Sequence, residues 1–337
     1  MVATGRDTER DSARILRLSI TGECNLSCFY CKPLGRSRDL FEVKNPVQPS
    51  DVSKLIRIVG ELGITRVIIG GGEPLLRKDA ANFIKSAFAH KGINDVWLVT
   101  NGTYLKAFAD ELRKNGLRKV DINFDTLNYK KYHEVLTKRD DLFRVLDGVD
   151  KVEKLNYLVI RLNIYLLNGV NHDEVVDFAR MTKDRRLHLR FMEYCPIVQN
   201  SDPIGDRPKL SVLWAKREID NYQRLVQIHD LEDDVPVPTF RFDDAEGKIS
   251  FLSETEVAAE KSVPSIVFNA EGVLFNELVP NRPHPILAEL RKDAKQDKLR
   301  KTIEHVMRLH AEVKRRAAAP SRRAVVSSHI RQAAARR

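Results

Sequence analysis

Residues 16–33 read LRLSITGECNLSCFYCKP, an apolar strand-like run followed at once by Cys24, Cys28 and Cys31 in C-x-x-x-C-x-x-C spacing. Three thiolates within eight residues are a soft ligand set suited to iron–sulfur or zinc chemistry. Structural zinc needs a fourth ligand and usually pairs two C-x-x-C units, or one with two spaced histidines. The remaining cysteine, Cys195, is far along the chain and no such histidine pair is present. A four-iron cube held by three thiolates keeps one iron open, and that open corner is where chemistry can occur.

Working outward, the strand that delivers this loop is the first of six. From Ile15 to about Tyr194, short apolar β-rich runs alternate with amphipathic helical stretches, which predicts repeated βα units around a parallel sheet. The strands are expected at Ile15 to Ile20, Thr65 to Ile69, Val96 to Val99, Lys119 to Phe124, Tyr157 to Leu166 and Leu187 to Glu193. Six right-handed crossovers make an α/β fold, a partial (β/α)6 barrel of TIM type, whose active residues gather at the carboxyl ends of the strands.

After Pro196 the pattern changes to a helix near Leu213 to Gln223 and two hairpins, Thr239 to Phe242 with Lys248 to Leu252 and Ser265 to Phe268 with Val273 to Leu278. A charged amphipathic helix follows over about Ile286 to Arg316. The predicted organisation is an N-terminal extension (1–14), the barrel (15–196), a C-terminal region of hairpins and helix (197–316) covering the barrel mouth, and a basic tail (317–337).

The net charge of +10 invites a nucleic-acid reading, but seven arginines and no carboxylate fall between Arg315 and Arg337, leaving +3 for the rest. Lacking aromatics and broken by Pro320, that tail has the composition of a solvated, disordered extension rather than an RNA-binding arm. No apolar run reaches the roughly 18 residues that a bilayer span requires. The charged first fifteen residues do not resemble a signal sequence. Clustered cysteines without a disulfide framework fit a reducing compartment, so a cytoplasmic location is expected.

The cysteine motif, with Tyr30 directly before Cys31, resembles the signature of radical S-adenosylmethionine (SAM) enzymes. GGEPLLRKD (71–79), VTNGTYL (99–105), DINFDTL (121–127), RLNIYLLNGVNHDE (161–174) and RFMEYCP (190–196) extend the resemblance over residues 15–196 to the molybdenum-cofactor GTP 3',8-cyclase branch. It implies one [4Fe–4S] cluster on Cys24, Cys28 and Cys31, with SAM chelating the open iron and cleaved to a 5'-deoxyadenosyl radical. Gly71, Gly72 and Glu73 are then candidates for the amino-acid end of SAM, Tyr30 for its adenine and Asn123 for its ribose or carboxylate. Cys195 replaces a methionine near SAM.

Arg17 and Arg161 sit on strands one and five, where an arginine shielded from water needs an anionic partner. With Thr100 at the end of strand three they are the substrate candidates, salt-bridged structural arginines being the alternative. An Arg expected on strand two is Ile68, and the cyclase branch's second cluster has no cysteines here. Aligned on the turn of the second hairpin, its three ligand positions fall near Glu260, Val263 and Glu277. The expected activity is therefore that of a one-cluster enzyme taking hydrogen from a small anionic substrate, nucleotide or sugar-like, with ferredoxin or flavodoxin as electron donor. GTP cyclisation and modification of RNA or a peptide are the alternatives.

Overall fold

The computed structural model describes residues 14–28, 30, 45–194, 209–230, 237–261, 263–292 and 296–318. Cys31, Cys195, the N-terminal extension through residue 13 and the tail from residue 319 lie outside the described residues.

The six βα units stand in the predicted order. Strands β1 (Ile15–Ser19), β2 (Arg66–Gly70), β3 (Asp95–Thr100), β4 (Lys119–Asn123), β5 (Val159–Leu166) and β6 (Leu187–Glu193) lie side by side and parallel. Between them come helices α1 (Pro49–Glu61), α2 (Ala80–Ala87), α3 (Leu105–Lys114), α4 (Leu142–Lys154) and α5 (Val175–Arg180). Helix α1 starts where Pro49 presets φ and the Asp51 carboxylate accepts the Gln48 amide at 2.9 Å.

Strand residues alternate sharply. Leu16, Leu18, Val67, Ile69, Val120 and Leu162 point outward and join Leu55, Phe83 and Val149 of the helices in one buried core. Their neighbours Arg17, Arg66, Trp97, Asp121, Arg161 and Arg190 line the interior of the barrel. A parallel strand covered on both faces usually reads as an unbroken apolar run. Here the inner face mixes Ile15, Ile68 and Trp97 with five charged strand residues, so the lumen is built to hold charge.

The C-terminal region adds α6 (Val212–Tyr222), β7 (Val226–Ile228), β8 (Thr239–Arg241), β9 (Lys248–Leu252), α7 (Glu254–Lys261), β10 (Ser265–Phe268), β11 (Val273–Asn276), β12 (Val279–Pro285), α8 (Leu287–Arg291) and α9 (Gln296–Ala318). Both hairpins form, β8 against β9 and β10 against β11. They do not fold over the barrel mouth. Instead β9 pairs parallel with β6 and β10 parallel with β1, continuing the sheet at both flanks in the order β12-β11-β10-β1-β2-β3-β4-β5-β6-β9-β8-β7. The sheet stays open, so the barrel is partial, and α7, which links β9 to β10, spans its open side.

The chain departs from expectation where prolines and short runs mislead. Strand β12 contains Pro280, Pro283 and Pro285, which a strand tolerates because it lies at the sheet edge. The expected long helix from Ile286 is two, and α9 runs on to Ala318, past the boundary placed at residue 316. No helix among the described residues is long and apolar enough to cross a membrane.

Candidate active site

Three loops meet at the carboxyl ends of β1, β2 and β3. The loop after β1 carries Cys24 and Cys28, both half-buried. Against it lies Gly71-Gly72-Glu73, whose Gly72 and Glu73 amides donate to the Thr21 and Glu23 carbonyls at 2.8 and 2.7 Å. A Cβ on Gly71, where φ is +141°, would lie 2.3 Å from the Thr21 oxygen, and one on Gly72 would lie 2.1 Å from the Glu23 oxygen. Glycine is required because the two loops touch, backbone to backbone.

Glu73 is fully buried. Its carboxylate accepts Leu75 N at 2.9 Å, the Thr100 hydroxyl at 2.8 Å and Asn101 N at 2.7 Å. Burial outweighs those three bonds and pushes its pKa up to about 7. The third loop is thereby tied to the second. It reaches the first through Asn101, whose amide donates to Asn25 Oδ1 at 2.9 Å and lies 3.8 Å from Cys24 Sγ. Asn25 in turn donates to the Thr103 hydroxyl at 3.1 Å. Thr100, read from sequence as a substrate contact, is buried beneath this network; Asn25 and Asn101, whose roles the sequence does not announce, lie inside the cysteine motif and VTNGTYL.

Tyr30 donates its hydroxyl to Asp125 and meets Tyr165 and Tyr194 edge-on, with ring centroids 5.5 and 6.2 Å away. Asp125 follows the end of β4 and is buried. Its other oxygen accepts Tyr165 N at 2.8 Å, and burial raises its pKa to about 6. Asn123 is exposed at the end of β4, 3.4 Å from the Asn163 amide.

Deeper in the barrel the chemistry changes to ion pairs. Arg17 Nε meets Glu277 at 2.8 Å, Arg161 lies 3.5 Å from Asp121 and stacks 4.3 Å over the Trp97 ring, and Arg190 pairs with Glu260. At the amino ends of the strands, Arg66 and Lys119 share Asp95 at 2.5 and 2.9 Å. Burial pushes the Asp95 carboxyl up, yet Lys119 and Arg66 together hold it below the usual carboxylate range. A cavity of about 90 Å³ remains between Arg17, Trp97, Arg161, Arg190 and Glu260. Glu260, Val263 and Glu277, three distant positions singled out in the sequence, thus converge on this lumen.

Comparison with known proteins agrees with this architecture. The radical SAM superfamily model matches residues 18–182. The chain is 31% identical to the GTP 3',8-cyclase of Alkaliphilus metalliredigens over 293 residues, 86% of this chain and 89% of that protein. It is 39% identical to that of Lactiplantibacillus plantarum over 182 residues, 54% of each. Among solved structures, Streptococcus suis SuiB bound to precursor peptide SuiA superposes with a TM-score of 0.58 at 16% identity, covering 89% of this chain and 69% of that one, a likeness of fold. The chain belongs to the radical SAM superfamily and is an enzyme that works with a [4Fe–4S] cluster and SAM.

Proposed function

We propose that Cys24, Cys28 and Cys31 hold a single cluster and that the substrate is a small anionic molecule, other than GTP, received in the arginine-lined lumen. The observation that carries this reading is the three-loop network around Cys24, set at the mouth of a barrel whose interior is charged. A cluster held by these three cysteines would supply reductive cleavage of SAM and, through it, the means of abstracting hydrogen from the substrate.

The chain's own groups have separable tasks. The Gly71-Gly72 backbone receives the amino-acid end of SAM. Glu73 serves that end by locking the loop, since its carboxylate is committed to Leu75, Thr100 and Asn101. Thr100 acts through Glu73. Tyr30, oriented by Asp125, and exposed Asn123 flank the nucleoside, and Cys195 is retained as a SAM contact on the resemblance alone. Arg17 and Arg161 attract the substrate's anionic group, and a ferredoxin or flavodoxin supplies the electron.

GTP cyclisation is the second reading, favoured by relatives of that name spanning most of the chain. Against it stand Ile68 and the glutamates facing Arg17 and Arg190. Anaerobic reconstitution followed by incubation with reductant and SAM, with and without GTP, separates the two. About four irons per chain and release of 5'-deoxyadenosine are expected. A cyclised nucleotide product overturns the substrate assignment; a colourless zinc protein overturns the whole reading.

A further inference from the structure

The lumen's charge is set by two different parts of the chain. Among the described residues, barrel strands contribute Arg17, Arg66, Lys119, Arg161 and Arg190 together with Asp95 and Asp121, a surplus of three positive charges. Glu260 on α7 and Glu277 after β11 then face Arg190 and Arg17 and reduce that surplus to one. Glu277 also accepts the Ser265 hydroxyl, which fixes it at the barrel wall. The C-terminal region therefore supplies the barrel with two counterions, Glu260 from the crossover helix and Glu277 from beyond β11.

Charge in a confined site must be matched, because an unbalanced buried ion forfeits its hydration without compensation. Two arginines already paired offer little to a polyphosphate, and displacing the glutamates would crowd like charges together. Space points the same way. About 90 Å³ is well below the roughly 300 Å³ at which pockets for drug-sized ligands begin. One feature does call for an acceptor: Trp97 lines the cavity, and its buried Nε1–H has no hydrogen-bond partner among the described residues.

We propose that Glu260 and Glu277 are the specificity-determining residues of this lumen, restricting it to a small molecule with a single carboxylate and refusing polyphosphates. The inference rests on the lumen being the substrate site, as assigned above. A carboxylate oxygen suits the Trp97 indole N–H, beside the Arg161 guanidinium, whose 3.5 Å approach to Asp121 is looser than the 2.8 Å of Arg17 to Glu277.

The test is calorimetric titration of the anaerobically reconstituted holoenzyme with inorganic triphosphate. The wild type should show no saturable binding up to about 1 mM, and Glu260→Gln/Glu277→Gln should bind at least about tenfold more tightly. Glu277→Gln alone, at a partly exposed position, should show part of the gain and guards against misfolding of the double variant. Adding Arg161→Gln to the double variant should remove the gain. Equal triphosphate affinity in wild type and variants, absence of binding in all of them, or a gain that survives Arg161→Gln overturns the proposal. Release of 5'-deoxyadenosine by the wild type, measured in parallel, reports on the catalytic reading separately.

Discussion

At the carboxyl ends of the strands Glu73 and Asp125 are buried among neutral donors, two backbone amides and a hydroxyl around one, a phenol and an amide around the other. Deeper in the same barrel Arg17, Arg161 and Arg190 each face a carboxylate. Both arrangements satisfy buried polar groups, but they behave differently. A carboxylate held by neutral dipoles keeps a titratable proton near neutral pH, whereas an ion pair fixes both charges. The rim is therefore suited to holding loops in one geometry for a cofactor, and the lumen to selecting a ligand by charge.

The comparison breaks most readily at the rim. Gly72→Ala forces a Cβ into the Glu23 carbonyl, and with the backbone on both sides there is no flexible group to yield. We expect a loss of about 3 kcal/mol or more, and iron content after reconstitution falling from about four to below one per chain. Unchanged iron would mean that the contact between the loops does not shape the cluster site.

A pH series sharpens the contrast. Because the folded-state pKa of Glu73 is raised from 4.5 to about 7, the native protein binds this proton more tightly than the unfolded chain. That contribution to stability is full below about pH 4.5 and is lost as pH rises through about 7, on the order of 3 kcal/mol in all. Asp125, raised from 3.8 to about 6, acts in the same direction over a lower window. Thermal unfolding of the ligand-free protein should show wild type losing more stability between pH 5.5 and 7.5 than Glu73→Gln does. Parallel curves would remove Glu73 from the account.

Two smaller effects separate rim from lumen. Tyr30→Phe deprives Asp125 of its phenol donor and should cost about 1 kcal/mol, read from denaturant midpoints. Arg161→Lys keeps the charge but loses the planar stack on Trp97, and should cost somewhat less than about 1 kcal/mol by the same measurement. A lumen loss exceeding that of Tyr30→Phe would reverse the ranking of the two regions.

Much of this was legible residue by residue. Strand β6 runs over Leu187–Glu193, as the periodicity predicts. The hairpins were readable from Asp243 to Gly247 and Asn269 to Gly272 flanked by alternating runs. Missed elements were those whose local signal conflicts with their setting, such as the proline-bearing edge strand β12 and the three-residue β7. The role of Asp125 carries no local signal. Its partner Tyr30 lies 95 positions away.

The sequence by itself determined the cysteine motif, the repeated βα units and the presence of arginines on strands one and five, since each is written in spacings of a few residues. Only the tertiary structure decided that β10 sits beside β1 and β9 beside β6, and hence which carboxylate each arginine meets. Arg17 and Glu277 are 260 positions apart. No local propensity encodes such a pairing; it follows from which sheet edge buries each late strand.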